Sequence, residues 1–234
     1  MRKILLLIIL TIPWKGTSQA TSGMSGLIHV PSARMLDDGQ LVLGAAYIPK
    51  PYFFRYGRNV NPGLNTYITY GILPFIEIMF RYTHELNLPV NPQTKYFPDR
   101  MLGFRVRIIK EKKYLPAVVI GFHDPSSLIG TIPAATNYAT SYFVFSKKLM
   151  FDFGLLDFTF GYSKDFFDLR YKDFEGLFGG FEFKPTFSKN ISLNIENNSK
   201  GYNIGIKLNT FTRFNLMFGL WRLEKPTFSF NYML

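Results

Sequence analysis

The sequence predicts an all-β chain: an antiparallel transmembrane β-barrel of about twelve strands, within a range of about ten to fourteen, preceded by a cleaved signal peptide. Three observations carry that expectation. Apolar and polar residues alternate with a period of two from about residue 41 to the last residue, the spacing of strands with one face in an apolar environment. The connections between these segments are long and short in turn, as in a membrane barrel. Beyond the opening residues no stretch is apolar for the roughly 20 residues a helical span needs.

The chain opens with Arg2 and Lys3, an apolar run over residues 4–10, Pro13 and then Ser18-Gln19-Ala20. That is the layout of a secretory signal peptide, with cleavage expected after Ala20. The apolar run is too short to anchor the chain as a membrane helix. Residues 1–20 are therefore read as signal, residues 21–39 as an N-terminal segment, and residues 40–234 as the barrel. The segment is a plug, a tail or an extra strand, and Pro31 within it argues against a central strand. Asp38-Gly39, a hairpin-type dipeptide, stands just before the first clear strand.

The strands are expected near 40–48, 64–71, 75–84, 101–109, 115–122, 137–146, 151–162, 176–184, 190–197, 201–208, 213–222 and 226–234. Ile76, Ile78, Phe80 and Tyr82 share one face and Glu77, Met79, Arg81 and Thr83 the other. Leu102, Phe104, Val106 and Ile108 likewise oppose Gly103, Arg105 and Arg107, and Phe228, Phe230, Tyr232 and Leu234 oppose Thr227, Ser229, Asn231 and Met233. Spans of roughly 8 to 11 residues suit tilted strands crossing a bilayer. Apolar residues rarely recur at three-and-four spacing outside the signal, so a parallel α/β fold is not expected.

With both ends of the barrel domain on the periplasmic side, the odd connections should be long and extracellular. Those near 49–63, 85–100, 123–136 and 163–175 are long, and those near 72–74, 110–114, 147–150 and 185–189 are short. The last three connections are all short. Pro49, Pro51, Pro62, Pro89, Pro92, Pro98, Pro125 and Pro133 fall in the long loops, where no ladder N–H is lost. A soluble β-sandwich has no reason to alternate its loops in this way.

The chain carries a net charge of +11, 25 Phe, 14 Tyr and no Cys. A disulfide scaffold and a thiolate metal site are excluded. Removing the signal leaves the remainder basic, which suits lipopolysaccharide phosphates or anionic glycans as neighbours; nucleic acid is not an expected partner outside the cytoplasm. Tyr47, Tyr70, Tyr82, Tyr162 and Tyr232 sit at strand ends, where interfacial girdles form.

One polar constellation stands out. Glu77, Arg81, Arg105, Arg107, Glu182, Lys184, Glu196 and Lys207 all occupy the polar parity of their strands. An Arg or Lys facing lipid at midplane costs about 2–4 kcal/mol, so these side chains should face the lumen. There they form either a self-neutralising network, with Glu77 and Glu182 answering Arg81, Arg105 and Arg107, or a basic lining for an acidic sugar chain. The network is the expected arrangement, because about twelve strands enclose an interior only moderately wider than the eight-strand case that side chains fill. The histidines His29, His84 and His123 lack metal-ligand spacing. His123-Asp124 beside Ser126 and Ser127 raises the alternative of a barrel hydrolase acting on lipid or glycan, but adjacency in sequence is not triad geometry. No catalytic, cofactor or metal site is expected.

Three segments carry a family resemblance. Gly26-Leu27-Ile28-His29-Val30-Pro31-Ser32-Ala33-Arg34 is followed by Asp38-Gly39; Tyr70-Gly71-Ile72-Leu73-Pro74-Phe75-Ile76-Glu77-Ile78 forms a strand-turn-strand unit; Gly121-Phe122-His123-Asp124-Pro125 precedes Val144-Phe145-Ser146-Lys147. In their shared order these resemble the YjbH family of exopolysaccharide-associated outer-membrane proteins. The resemblance extends over most of residues 26–234, including Phe181-Glu182-Phe183-Lys184-Pro185. It implies a short, single-barrel version of that family, a non-enzymatic role in producing, exporting or assembling extracellular polysaccharide, contact with other export components, and no catalytic residues.

Overall fold

A computed structural model describes residues 18–52, 61–87, 99–125, 139–165, 175–188, 190–210 and 213–234. Residues 1–17 of the expected signal, and parts of the long connections, lie outside the described residues, whereas Ser18, Gln19 and Ala20 at its end are described and lie with the inner segment. Twelve strands follow in order: β1 (Leu41–Ile48), β2 (Gly63–Leu73), β3 (Ile76–Glu85), β4 (Asp99–Ile109), β5 (Ala117–His123), β6 (Thr140–Phe151), β7 (Gly154–Asp165), β8 (Gly176–Pro185), β9 (Ile191–Asn197), β10 (Tyr202–Thr210), β11 (Phe214–Trp221) and β12 (Lys225–Met233). Each pairs antiparallel with its sequence neighbour, and β1 pairs with β12 to close the barrel. Closure removes the edges that would otherwise recruit another strand.

The alternation in sequence becomes an inside and an outside. On β3, Glu77, Met79, Arg81 and Thr83 are buried while Phe80 is exposed. On β2, Tyr67 and Thr69 point in, and Ile68 and Tyr70 point out. Exposed apolar side chains continue round the wall through Leu102, Ile120, Phe143, Phe160, Leu193, Ile206, Phe218 and Phe230. On strands such as β3 and β12 this sorts residues by polarity across a wall one residue thick, whereas Val119 on β5, Val144 on β6 and Phe178 on β8 are apolar residues turned inward, where they form a buried cluster with Leu27 and Val30. Pairing shifts register between Gly71 and Leu73 and between Arg107 and Ile109, both near the β2–β3 and β4–β5 turns.

The connections differ at the two ends. At one end lie 74–75, 110–116, 152–153, 186–190 and 211–213; at the other lie 49–62, 86–98, 124–139 and 166–175, followed by the tight turns 198–201 and 222–224. The last turn places Arg222 and Leu223 at φ 51° and 60°, the left-handed pair a two-strand hairpin needs for its twist. Neither is glycine, and Asn203 offsets the strain by accepting the Arg222 amide at 2.7 Å.

The space inside is occupied by the chain itself. Residues 19–33 are buried without exception and pair with one another in two short bridges, Gln19 with Ser25 and Gly26 with Pro31. Ser18 meets Asn215, near the short-turn end of β11, at 3.1 Å. The segment then rises to His29, whose ring lies 4.2 Å from that of Trp221 at the opposite end of β11. It returns to Gly39, whose amide donates to Gly71 at 2.8 Å, and enters β1 at the short-turn end. Glycines on the inner wall make room: a side chain at Gly103 would run into Met24, and one at Gly71 into the Asp37 carbonyl.

Candidate functional site: the charged lumen

Residues 18–40 form no continuous ladder; some of their amides bond back within the segment, as Thr21 to the Ile28 carbonyl at 2.8 Å and Leu27 to the Val30 carbonyl at 3.0 Å, and other backbone groups of the segment take partners from the wall. The inward-facing charges supply them. On β9, the Glu196 carboxylate accepts the consecutive amides of Ile28, His29 and Val30 at 2.9 to 3.2 Å, and Asn203 Nδ2 at 2.7 Å. Successive N–H groups converging on one anion make a concavity of fixed partial positive charge. On β3, Glu77 Oε2 accepts the Leu36 amide at 2.9 Å and Ser25 Oγ at 2.8 Å, while Oε1 accepts the Ser25 amide.

The cations take the carbonyls. Arg105 on β4, fully buried, pairs with Glu77 at 3.1 Å and donates to the carbonyls of Ser25 at 2.8 Å, Arg34 at 2.9 Å and Ser32. The planar guanidinium offers several fixed donors at once, which suits it to gather two passes of one chain. Lys207 on β10 donates to the Gly26 carbonyl at 2.8 Å. Neutral wall groups add to these: Asn65 and Thr69 donate to the Thr21 and Gly23 carbonyls, and Ser146 accepts the Ala33 amide.

At the short-turn end, Arg34 leaves the inner segment to form a two-pronged pair with Asp157 at 2.5 and 2.7 Å, and reaches Glu111 in the β4–β5 turn at 2.6 Å. Partial burial pushes the Glu111 carboxyl up, but the Lys148 amide and the Arg34 and Lys147 cations together hold it below its ordinary value. Arg34 joins three segments of the chain: the inner segment, a turn and β7.

The eight charged residues singled out by strand parity thus divide. Glu77, Arg105, Glu196 and Lys207 hold the inner segment. Arg81 is buried opposite Tyr67 and Met101 in the register. Glu182 accepts from Ser192 at 2.6 Å and meets Lys184 at 3.3 Å. Lys184 is 41% exposed at the rim. Arg107 also reaches the rim, where its guanidinium donates to the Pro74 carbonyl.

Residues that parity did not single out matter as much. Asp157 occupies an inward position between Leu156 and Phe158, a signal available in the sequence. Arg34 lies where no periodicity exists. The His123 neighbourhood assembles no triad among the described residues: His123 and Asp124 are both buried, His123 packs edge-on against Tyr142, and Ser126 and Ser127 lie outside the described residues. No group of three or more His, Cys, Asp or Glu able to hold a metal occurs among the described residues.

With this geometry in hand, comparison with known proteins identifies relatives. The model of the YjbH family, described as exopolysaccharide biosynthesis protein YbjH, matches residues 18–169. The chain belongs to the YjbH family. The match begins at the first described residue, so the inner segment and β1 to β7 lie within it. The uncharacterized lipoprotein YjbH of Escherichia coli (strain K12) is 26% identical over 151 residues, which are 62% of this chain and 18% of that protein. The chain thus spans less than a fifth of that relative's length. Two crystal structures of Ail, the attachment invasion locus protein of Yersinia pestis, align at 11% and 10% identity, one of them in complex with the heparin analogue sucrose octasulfate. Each alignment covers 84% of this chain and 99% of Ail, with a TM-score of 0.19.

Proposed function

We propose that this protein is an outer-membrane barrel, sealed by its own N-terminal segment, that supports the production, export or surface assembly of an extracellular polysaccharide without catalysing a reaction. The observation that carries this reading is the use to which the lumen charges are put. Glu77, Arg105, Glu196 and Lys207 are committed to the backbone of residues 25–36, which leaves them unavailable to a passing sugar polymer. Family membership supports the link to exopolysaccharide. The belt of exposed Phe, Leu and Ile supports the membrane location, because a soluble monomer rarely exposes contiguous apolar patches beyond a few hundred Å².

In this reading the long connections face outward, toward lipopolysaccharide, anionic polymer and other export components, and the short turns face the periplasm. A tag inserted near Lys112 should stay unlabelled on intact cells while one near Asn91 is labelled. Deletion of the gene is the functional test: surface polysaccharide should fall. Unchanged polysaccharide, together with a hydrolytic activity abolished by His123→Ala, would replace this reading with a barrel hydrolase.

A further inference from the structure

The outer wall is not uniform. In the register across β6, β7 and β8, Phe145 stands beside Phe160 and Phe160 beside Gly179. Gly179 occupies an outward position and contributes no side chain, so the apolar wall has a gap there. Phe145, Phe158, Phe160, Leu177 and Phe181 border it, and the cavity measures about 580 Å³, within the size range of small-molecule sites. The gap is built into the backbone. A side chain at Gly179 would meet the Thr159 carbonyl, and one at the adjacent Gly180 the Ile195 carbonyl.

One end of this groove is basic. Pro116 and Lys147 line it at the short-turn end. Lys147 Nζ donates to the Lys112 carbonyl at 2.5 Å and the Lys113 carbonyl at 2.9 Å, fixing the β4–β5 turn beside the groove. That turn presents Lys112 and Lys113 to solvent, with the Lys113 ammonium 5.2 Å from the ring of exposed Tyr114. The acid of the turn, Glu111, is already engaged by Arg34 and Lys147.

We propose that this groove binds one glycerophospholipid of the leaflet at the short-turn end, its acyl chain in the Gly179 gap and its phosphate at Lys112 and Lys113. An apolar slot beside two solvent-exposed cations and an interfacial aromatic matches an amphiphile whose anionic head lies next to its tail. The inference rests on the membrane reading above. A wall that merely contacts bulk lipid needs neither a missing side chain nor a lysine-bearing turn held over the gap.

The test is native mass spectrometry of the full chain released from detergent, titrated with a single phosphatidylglycerol and, separately, with phosphatidylcholine of the same chains. Wild type should retain one phosphatidylglycerol. Leu177→Trp, which fills the gap from its exposed rim, should weaken retention at least about tenfold, equivalent to about 1.4 kcal/mol. Ile206→Trp, on the lipid face of β10, should leave it unchanged. Lys112→Gln with Lys113→Gln, at two exposed positions that leave the fold intact, should remove the preference for phosphatidylglycerol over phosphatidylcholine. Equal retention by wild type and Leu177→Trp, or a preference that survives the double lysine variant, overturns the proposal. A barrel that embeds in vesicles yet retains no lipid sinks the groove alone, whereas a chain that stays soluble without detergent sinks the membrane reading.

Discussion

Replacing Glu196 with Ala should free the inner segment at its turning point. The carboxylate accepts three consecutive backbone amides, those of Ile28, His29 and Val30, and alanine leaves all three without their acceptor inside the barrel. A hydrogen bond to a charged group contributes about 1.5–3 kcal/mol. The His29 amide is shared between both oxygens and the Val30 contact is long at 3.2 Å, so the sum should fall toward the low end, about 3–6 kcal/mol. That corresponds to a rise of about 10² to 10⁴ in the equilibrium for withdrawing the segment. Because the chain has no cysteine, a single Ser22→Cys reports directly: Ser22 is buried and its hydroxyl makes no hydrogen bond among the described residues. Maleimide should modify Cys at this position slowly in the otherwise natural chain and far faster with Glu196→Ala. Equal rates would refute the reasoning that Glu196 holds the segment in place.

Other variants separate the roles of neighbouring charges. Arg105→Ala, which strands Glu77 in a fully buried position, should cost several kcal/mol and abolish heat-modifiable migration on a gel, whereas Arg107→Ala at the rim should migrate as the natural chain does. Arg34→Ala, losing the Asp157 and Glu111 contacts of a partly exposed group, should lower the melting temperature with a penalty of about 1–2 kcal/mol. Glu111 is held below its ordinary 4.5, so its stabilising contribution is complete above that value and is lost as pH falls through the lowered one. Thermal unfolding followed from pH 7 downward should therefore show an acid-side loss that Glu111→Gln diminishes. Gly44→Val would drive a side chain into the buried Tyr67 ring, whose hydroxyl bonds Asn231 at 2.6 Å; an overpacking cost of about 1–3 kcal/mol is expected in the same melt.

The barrel was legible because a wall one residue thick imposes a period of two, plain in β3 and β12 and blurred in β5 and β8, where Val119 and Phe178 are apolar on the inner face as well. Strand ends were less legible. β5 begins at Ala117 rather than near residue 115 because Pro116 has no N–H to donate to a ladder. For the lumen, parity tells which face of the wall Glu77, Arg105, Glu196 and Lys207 occupy, but not how far along the barrel a residue sits, so Arg107 and Lys184 at the rim look the same in sequence as the fully buried Arg105. Nor does parity name partners: the contacts of Glu182 with Ser192 and Lys184 follow from the register and not from the alternation. The path of residues 18–40 was the least legible feature. A segment whose residues 19–33 are buried inside the wall, with its backbone satisfied partly by itself and partly by side chains of the wall, needs no periodicity of its own. Its small and mixed composition therefore leaves a plug and a tail open, with Pro31 arguing against a central strand, until the wall charges are seen to face it.

The most direct test of the sealed-barrel account is conductance of the full chain in a planar bilayer, with insertion verified by heat-modifiable migration of the same preparation. The inserted barrel should be electrically silent across a range of voltages, and Glu196→Ala should introduce discrete channel openings as the inner segment withdraws. Stable open-channel steps from the unaltered protein would contradict a lumen closed by its own N-terminal segment.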